Sequence, residues 1–419
     1  MATPLWKCIL CPENELILKR TLACGQSFRW RETDSDVWTG VIGNRVWKLR
    51  QSQTHLYYQV FPEYSETLEQ ADISNVKIEK DEDGFPSIKL QNTMQETSMT
   101  LTECKQADRK FKIKVEIPDH KYEIDDKKVI NKNKFRKSQH TDTAGDISDG
   151  TEKVDEEQSI LRDYFQLNIC LTKLYDHWSD VDPHFKEVSS KYSGIRMIRQ
   201  DPVETLFSFI CSSNNSIPRI IQLVDKLCSH YGEKIATVDG EDYYSFPKIS
   251  AFVGDNVESN LRMLSFGYRA KYIHKSAKFI LENHGKDWVN SLRQCDYQYA
   301  KQQLMKLLGV GPKIADCVCL MSLDKPGAIP VDTHVWKIAA EHYMLDLQGN
   351  KSLTDRLYKK IGKHFRDLWG EYAGWAHSVL FAADLKTITV PKDTSGSSAK
   401  ATKREWPDEL SKSKKFKQV

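Results

Sequence analysis

The sequence predicts an α+β protein, with an N-terminal antiparallel β-sheet domain followed by all-helical domains. Up to residue 60, apolar and polar residues alternate between short turns, and Gly43-Asn44 in VWTGVIGNRVWKL suits a two-residue hairpin. From residue 157 to 385, apolar residues recur every three or four positions, as at Val203, Phe207 and Ile210. The alternation predicts strands in the N-terminal part, and the recurrence every three or four residues predicts helices in the part that follows.

Changes in composition divide the 419 residues into four segments. Residues 1–65 form the predicted sheet domain, and residues 157–385 form the predicted helical core. The segment 66–156 between them is rich in charged residues and is predicted to be partly disordered. Its stretch FKIKVEI at 111–117 alternates, which leaves open that part of this insert extends the sheet. Residues 386–419 are predicted to form a basic, disordered tail.

Charge is distributed unevenly along the chain. The whole sequence has 61 Lys and Arg against 58 Asp and Glu, a net charge of +3. Nine basic and four acidic residues follow Leu385, so the tail carries +5 and residues 1–385 carry −2. Binding of a nucleic acid would therefore depend on a local basic face of the folded core, together with the tail. The tail suits either a nuclear-localisation signal or a merely solvated end.

Neither a membrane span nor a metal site is predicted. No apolar run approaches the ~20 residues of a spanning helix, and the N-terminus has neither a secretory signal nor a convincing transit peptide. The ten cysteines are scattered, which is typical of reduced thiols in an intracellular protein. Cys8 and Cys11 form a lone pair without a second pair at zinc-ribbon spacing.

A helix-hairpin-helix is predicted at residues 297–323. One helix closes by Leu307, Gly309 and Gly311 supply the unusual backbone angles of a tight turn, and Pro312 suits the first position of the next helix. Because such a turn has almost no side chains, its N–H groups can approach a phosphate, which the positive end of the helix also favours. Gly309 and Gly311 are therefore predicted to bind DNA.

Two residues of this region suit catalysis. Lys313 lies in the first turn of the second helix, where the helix dipole and desolvation disfavour a charged amine, and a neutral amine is a nucleophile. Asp332 follows Pro330-Val331 at the expected N-cap of the next helix. The simpler alternatives are phosphate contact alone for Lys313 and a plain cap for Asp332.

The run from Leu307 to Trp336 resembles the helix-hairpin-helix, Gly/Pro-rich loop and aspartate of base-excision DNA glycosylases, and among them the eukaryotic 8-oxoguanine DNA glycosylases. The resemblance extends over roughly residues 1–65 and 157–385. Five further blocks carry it in order: CGQSFRWR at 24–31, DYFQL at 163–167, RQDPVETLFSFICSSNNSIPRI at 199–220, GYRAKY at 267–272 and GWAHSVLFAADL at 374–385.

The resemblance implies a bifunctional DNA glycosylase and lyase that removes 8-oxoguanine opposite cytosine in base-excision repair. Lys313 would attack C1′ and Asp332 would stabilise the developing sugar cation, so that a Schiff base forms and β-elimination follows. An alkyl-purine glycosylase of the same fold, using only the aspartate, is one alternative. A non-catalytic helix-hairpin-helix protein that binds damaged DNA is another. Lys313 argues against the first alternative, and the presence of both Lys313 and Asp332 argues against the second.

The resemblance also assigns residues to the extruded base. Phe381 would stack on the purine, and Cys317 with Lys313 would lie against its other face. The carbonyl of Gly25 would accept the N7–H that distinguishes 8-oxoguanine from guanine, a contact worth roughly 1–3 kcal/mol. Pro330 would shape the pocket wall, and Asp332 would border the same pocket.

Other residues are implied to contact the duplex, from which the target nucleotide must be swung out. Tyr268 would fill the gap as a wedge. Asn214, Arg219 and Arg269 would face the orphaned cytosine, whose edge both accepts and donates hydrogen bonds. His334 would contact a phosphate near the lesion.

One position departs from the family pattern. His377 stands in GWAHSVLF where the family normally has Gln against the guanine edge. An imidazole offers one acceptor and one donor pointing apart, so base recognition should differ from that of an amide. Base excision is expected to weaken as pH falls through ~6.5, the ordinary histidine value. The alternative is a slightly rotated helix with His377 facing solvent.

No cofactor is expected. The iron-sulfur relatives of this superfamily carry four cysteines after the catalytic helices, whereas no cysteine follows Cys319 here. The expected partner is damaged double-stranded DNA, without a membrane or an iron-sulfur cluster, and the protein is expected to be a monomer. A nuclear location is expected, with a mitochondrial pool as a further option.

Overall fold

The computed structural model describes residues 4–61, 76–80, 86–90, 155–343 and 353–385. The predicted α+β class is confirmed, because a five-stranded antiparallel sheet precedes a long helical region. Within the described residues, no helix combines the length and apolarity needed to cross a membrane. The segment 111–117 and the tail 386–419 lie outside the described residues.

The sheet has the order β1-β5-β4-β3-β2. Its strands are β1 (Lys7–Leu10), β2 (Arg31–Asp34), β3 (Val37–Ile42), β4 (Arg45–Gln51) and β5 (His55–Phe61). The predicted two-residue hairpin is present, since Ile42 pairs with Arg45 across Gly43-Asn44. Side chains buried between this sheet and the first helix after the insert include Trp47, Leu49, Leu56 and Phe165.

A separate unit comprises residues 65–153. Its described part is a two-stranded antiparallel sheet of β6 (Val76–Lys80) and β7 (Pro86–Leu90). Ile78 pairs with Ile88 in this hairpin.

Thirteen α-helices follow or accompany the sheet in the described residues. They are α1 (Leu18–Ala23), α2 (Glu156–Tyr164), α3 (Leu171–Val181), α4 (Pro183–Ser189), α5 (Pro202–Cys211), α6 (Ile217–Tyr231), α7 (Val257–Met263), α8 (Arg269–Asn283), α9 (Trp288–Ser291), α10 (Tyr297–Leu304), α11 (Pro312–Ser322), α12 (Thr333–His342) and α13 (Asp355–Trp369). One more, α14 (Ala373–Asp384), ends the described part of the chain.

Two elements depart from the predicted order. Helix α1 lies inside the sheet domain, between β1 and β2. The region predicted to be all-helical also contains a hairpin of β8 (Lys234–Val238) and β9 (Glu241–Tyr244). Its turn is Asp239-Gly240, and both residues have positive φ, 54° and 85°. Asp-Gly is among the strongest short-range hairpin signals, so the sequence carried evidence for these strands.

Helix α11 lies at the centre of the helical region. Every residue from Ile314 to Ser322 is buried, and the helix packs against α5 and α10. Helix α14 packs against α12 and α13. Because α11 is enclosed along its length, only its first turn, with Lys313, remains partly accessible.

Candidate active site

The hairpin between α10 and α11 has the predicted form, with one correction. Gly309 adopts φ +85°, and a Cβ there would lie 2.3 Å from the Tyr272 ring, so only glycine fits. Gly311 instead has φ −92°, an ordinary extended angle, and acts as the N-cap of α11. The unusual angle predicted for Gly311 was therefore wrong. Pro312 is the first residue of α11, as predicted.

Lys313 lies in the first turn of α11, close to an aromatic ring and a thiol. Its Nζ is 5.2 Å from the centroid of the Phe209 ring. Cys317 lies one turn further along the same helix. Burial raises the pKa of Cys317 to about 11, and the nearby Lys313 charge opposes that shift. The thiol is therefore a neutral, buried neighbour of the amine at physiological pH.

Asp332 caps α12. Its Oδ1 accepts hydrogen bonds from the backbone N–H groups of His334 and Val335, both at 3.0 Å. The predicted N-cap is therefore present. Because Oδ1 makes both bonds, capping leaves Oδ2 of Asp332 available to a reacting group.

A cavity, here called the base pocket, connects these residues. All six residues predicted to bind the base line it: Gly25, Cys317, Pro330, Asp332, His377 and Phe381. Lys313 and Phe209 line it as well, and so do residues that the sequence did not single out, namely Cys24, Gln26, Met321 and Ser378. Residues from the sheet domain, α5, α11 and α14 thus meet around one space.

The Gly25 end of the base pocket is held firmly. Gly25 follows α1 with φ +81°, and a Cβ there would lie 3.1 Å from Ile217. The buried Gln26 amide beside it donates to the carbonyls of Thr21 at 2.8 Å and Arg196 at 3.0 Å. Recognition of a base by the Gly25 carbonyl would require a backbone that is fixed in this way.

His377 lies inside the base pocket and not in solvent, because its side chain is only 6% exposed. Neither ring nitrogen has a hydrogen-bond partner, although the backbone of Pro330 and of Gly374 is near enough to influence the ring. Burial lowers the pKa of His377 to about 4, while the Asp332 carboxylate opposes the shift and Lys313 reinforces it. The expected loss of excision near pH 6.5 is corrected accordingly, since this imidazole stays neutral well below that value.

A second, larger cavity, here called the outer cleft, adjoins the base pocket. The two cavities share the lining residues Gly25, Phe209, Lys313, Asp332 and Phe381. The outer cleft is also lined by four residues predicted to bind DNA: Asn214, Gly309, Gly311 and His334. The candidate catalytic pair thus lies where the open cleft narrows into the pocket.

The other predicted DNA contacts surround the turn after α5. Asn214 has positive φ, 46°. Tyr268, with 44% of its surface exposed, donates its hydroxyl to the Ser213 carbonyl at 2.9 Å. The Arg269 guanidinium lies 4.6 Å from the Tyr268 ring and donates to the Asn214 carbonyl at 3.1 Å. These three residues are therefore close together.

Arg219 is placed differently. It lies in the first turn of α6, does not line the outer cleft, and donates to the Ser265 carbonyl at 3.1 Å and to Gln222 at 3.0 Å. These two bonds use two of the five N–H donors of the guanidinium.

His334 is exposed and paired with a residue that the sequence did not indicate. Its Nδ1 lies 2.5 Å from Oδ2 of Asp384 at the end of α14. Burial alone would raise the pKa of Asp384, but the hydrogen bond from His334 and the charge of Lys337 lower it. The two residues are 50 positions apart, so no local pattern could have predicted this pair. In the described part of the chain, no group of three or more His, Cys, Asp or Glu side chains is suited to a metal ion.

Comparison with known proteins identifies the family. Residues 8–206 match the family described as 8-oxoguanine DNA glycosylase, N-terminal domain, and residues 207–364 match the HhH-GPD superfamily of base excision DNA repair proteins. An N-glycosylase/DNA lyase of Saccharomyces cerevisiae is 39% identical over 272 residues, covering 59% of this chain and 70% of the yeast protein. The chain belongs to the 8-oxoguanine DNA glycosylase family.

Two further proteins are similar to this chain, one in sequence and one in fold. The N-glycosylase/DNA lyase OGG1 of Arabidopsis thaliana is 42% identical over 227 residues, covering 54% of this chain but only 61% of the plant protein. A Clostridium acetobutylicum 8-oxoguanine glycosylase/lyase, solved with DNA containing cytosine opposite 8-oxoG, has the same fold with a TM-score of 0.59. It is 21% identical, and the match covers 91% of this chain and 98% of that one.

Proposed function

We propose that the protein is a bifunctional DNA glycosylase and AP lyase that excises 8-oxoguanine opposite cytosine from duplex DNA. One observation carries the proposal: Lys313 and Asp332 both line the base pocket and the outer cleft. A nucleotide extruded from DNA in the cleft would place its base in the pocket and its sugar beside this pair. The named activity of the yeast and Arabidopsis relatives supports the same reaction class.

The chemistry divides between the two residues. The amine of Lys313, after losing one proton, attacks C1′ of the sugar as the bond to the base breaks, and the electron pair of that bond leaves with the base. The carboxylate of Asp332 stabilises the positive charge that develops on the sugar. Loss of a second proton from the lysine nitrogen, and opening of the sugar ring with uptake of a proton at O4′, give a protonated Schiff base. Removal of a C2′ proton then expels the 3′ phosphate by β-elimination.

The remaining pocket residues suit recognition of an oxidised purine. The Gly25 carbonyl would accept the extra N7–H of the lesion, which normal guanine lacks. Phe381 offers a flat apolar surface for stacking. The neutral ring of His377 would accept one hydrogen bond and donate another to the base edge. Cys317 and Pro330 would close the pocket around the base.

DNA would be held on the surface around the outer cleft. The N–H groups of the Gly309 to Gly311 turn and the start of α11 would bind a backbone phosphate. His334 would bind another phosphate near the lesion. Tyr268 would occupy the gap in the duplex, and Asn214, Arg269 and Arg219 would face the unpaired cytosine.

We assign no cofactor to this reaction, and we propose that the protein acts as a monomer without an iron-sulfur cluster. Nuclear location, with a further mitochondrial pool, is proposed from the basic composition of residues 386–419.

A substrate panel with covalent trapping tests the proposal. Duplexes containing 8-oxoguanine, an alkylated purine, uracil or an abasic site are incubated with the protein and borohydride, which reduces a lysine imine to a stable bond. We expect cutting and cross-linking with 8-oxoguanine opposite cytosine and with the abasic site. Lys313→Gln should abolish cross-linking, whereas Lys306→Gln, in the same hairpin, should be trapped like the wild type. Release of an alkylated purine without cross-linking would overturn the proposal.

A further inference from the structure

Asp316 is a fully buried carboxylate in α11, three residues after Lys313. Its Oδ1 accepts a hydrogen bond from the Tyr297 hydroxyl at 2.7 Å. Its Oδ2 accepts from the Lys301 ammonium at 2.7 Å and from the Tyr358 hydroxyl. Burial raises the pKa of Asp316, and the Lys301 charge and the two phenols oppose that shift. A buried ion pair often adds little to the stability of a protein. The role of Asp316 is therefore inferred from its other contacts.

Tyr358, on α13, has two further partners, and one of them is the Ile329 carbonyl, 3.3 Å from its hydroxyl. Its hydroxyl accepts a hydrogen bond from the backbone N–H of Val331 at 3.3 Å. Val331 is only 1% exposed, so without this phenol its N–H would be a buried donor with no acceptor. A hydroxyl can accept one hydrogen bond while donating its own proton. The contacts therefore form a continuous relay from the Val331 amide through the Tyr358 hydroxyl to the Asp316 carboxylate.

The relay ends beside the reacting groups. Val331 immediately precedes Asp332, and residues 328–332 form neither helix nor strand. Asp316 and Lys313 lie about one turn apart on the same rigid helix. Tyr358 thus fastens the irregular segment that carries one candidate catalytic residue to the helix that carries the other. Asp316 is paired with the Lys301 ammonium at 2.7 Å, and a carboxylate in such a pair accepts a stronger hydrogen bond from Tyr358 than a neutral group would.

We infer that Asp316 and Tyr358 are positioning residues, which hold Val331 and thereby set the position of the Asp332 carboxylate relative to the Lys313 amine. The inference rests on the proposed function, since it assigns the relay to that reaction. Tyr297 and Lys301 complete the hydrogen bonding of Asp316 without contacting Val331 themselves.

Two matched variants test the inference. Tyr358→Phe keeps the ring but removes the hydroxyl from Asp316, Ile329 and Val331. Tyr297→Phe removes a hydroxyl that bonds Asp316 and Lys301. We expect Tyr358→Phe to slow single-turnover release of 8-oxoguanine about tenfold or more, because small displacements of reacting groups have large effects on rate. The equilibrium Kd for lesion DNA should change less than about twofold, since no residue of the DNA surface is altered. Tyr297→Phe should affect the rate much less. Equal rate losses in the two variants, or a loss confined to Kd, would overturn the inference.

Amide hydrogen exchange gives a readout without substrate. In the full chain without DNA, exchange at Val331 and the adjacent residues should be faster in Tyr358→Phe than in the wild type or Tyr297→Phe. Unchanged exchange would exclude the relay even if the protein were a glycosylase. Conversely, a wild type that releases no 8-oxoguanine would contradict the proposed function, and the exchange result would still decide whether Tyr358 holds the segment.

Combination with Asp332→Asn identifies the residue through which the relay acts. If Tyr358 acts on the rate by placing the Asp332 carboxylate, its substitution should cost little once that carboxylate has become an amide. A full additional loss of rate in the double variant would overturn the assignment to Asp332.

Discussion

His377 and Phe381 lie one turn apart on α14, with ring centroids separated by 6.3 Å and ring planes inclined by 18°. Both rings border the base pocket, and the His377 nitrogens have no protein partner. An imidazole buried in this way adds a titratable group to a pocket in which an amide would be insensitive to pH.

The first prediction concerns the pH dependence of stability. The pKa of His377 is lowered from 6.5 to about 4 in the folded chain, so between these values the unfolded chain binds more protons. Stability is therefore lost as pH falls from 6.5 towards 4, by about 2 kcal/mol at pH 5 for this group. His377→Gln should remove this contribution, which denaturant unfolding of both proteins at pH 7.5 and pH 5 would measure. An identical loss in both proteins would show that the ring is not held neutral.

Excision by the wild type should likewise not depend on His377 protonation until pH approaches 4. An acid limb centred near 6.5 that disappears in His377→Gln would contradict the burial of this side chain.

The second prediction separates the two roles of Asp332. Asp332→Asn keeps an oxygen to accept from His334 and Val335, so stability should change by less than about 1 kcal/mol. Turnover should fall about 100-fold or more, because the charge facing the sugar is lost. Asp201→Asn is the matched control, since Asp201 caps α5 by accepting from the Glu204 N–H at 2.8 Å. Near-normal turnover in a folded Asp332→Asn protein would show that Asp332 acts only as the N-cap of α12.

The third prediction compares the two hairpin glycines. Gly309→Ala should destabilise the protein by about 1–3 kcal/mol, because alanine would be strained at φ +85° and its Cβ would overlap the Tyr272 ring. Gly311→Ala should be neutral or slightly stabilising, since its φ is −92° and no atom lies within 4 Å of an added Cβ. Denaturation midpoints measure both. Equal midpoints would contradict the hairpin geometry described above.

The fourth prediction is that residues 66–153 can be replaced by a Gly/Ser linker of about ten residues without loss of folding. The described residues on the two sides of the insert are in contact, because Asp155 interacts with Lys7 at 2.8 Å and with Tyr58 of β5 at 3.4 Å. Lys7 and Tyr58 are themselves paired across β1 and β5. Circular dichroism and 8-oxoguanine release by the shortened chain would test it. A chain that fails to fold would show that the insert contributes to the core.

Elements governed by short-range rules could be predicted from the sequence. The Gly43-Asn44 hairpin, Pro312 at the start of α11 and Asp332 at the cap of α12 all depend on contacts within a few residues. The β8–β9 hairpin was not predicted, although its Asp-Gly turn is a known hairpin signal. Helix α1 was also missed, because its six residues are too few to show a helical period.

The base pocket was predicted in a different way. Gly25, Cys317, His377 and Phe381 were expected to meet only because the chain resembles a family, and the structure places all four around one cavity. No property of the sequence by itself brings residue 25 near residue 381, since that contact depends on how the sheet domain packs against α14.

The sequence by itself determined the fold class, the hairpin, and the positions of Lys313 and Asp332 at the beginnings of two helices, because periodicity, turn angles and capping act locally. Only the tertiary structure decided the protonation of His377, the pairing of His334 with Asp384, and the relay from Asp316 through Tyr358 to Val331. These depend on burial and on contacts between residues as much as 50 positions apart. Packing alone sets the desolvation and hydrogen-bond distances that give such groups their chemistry.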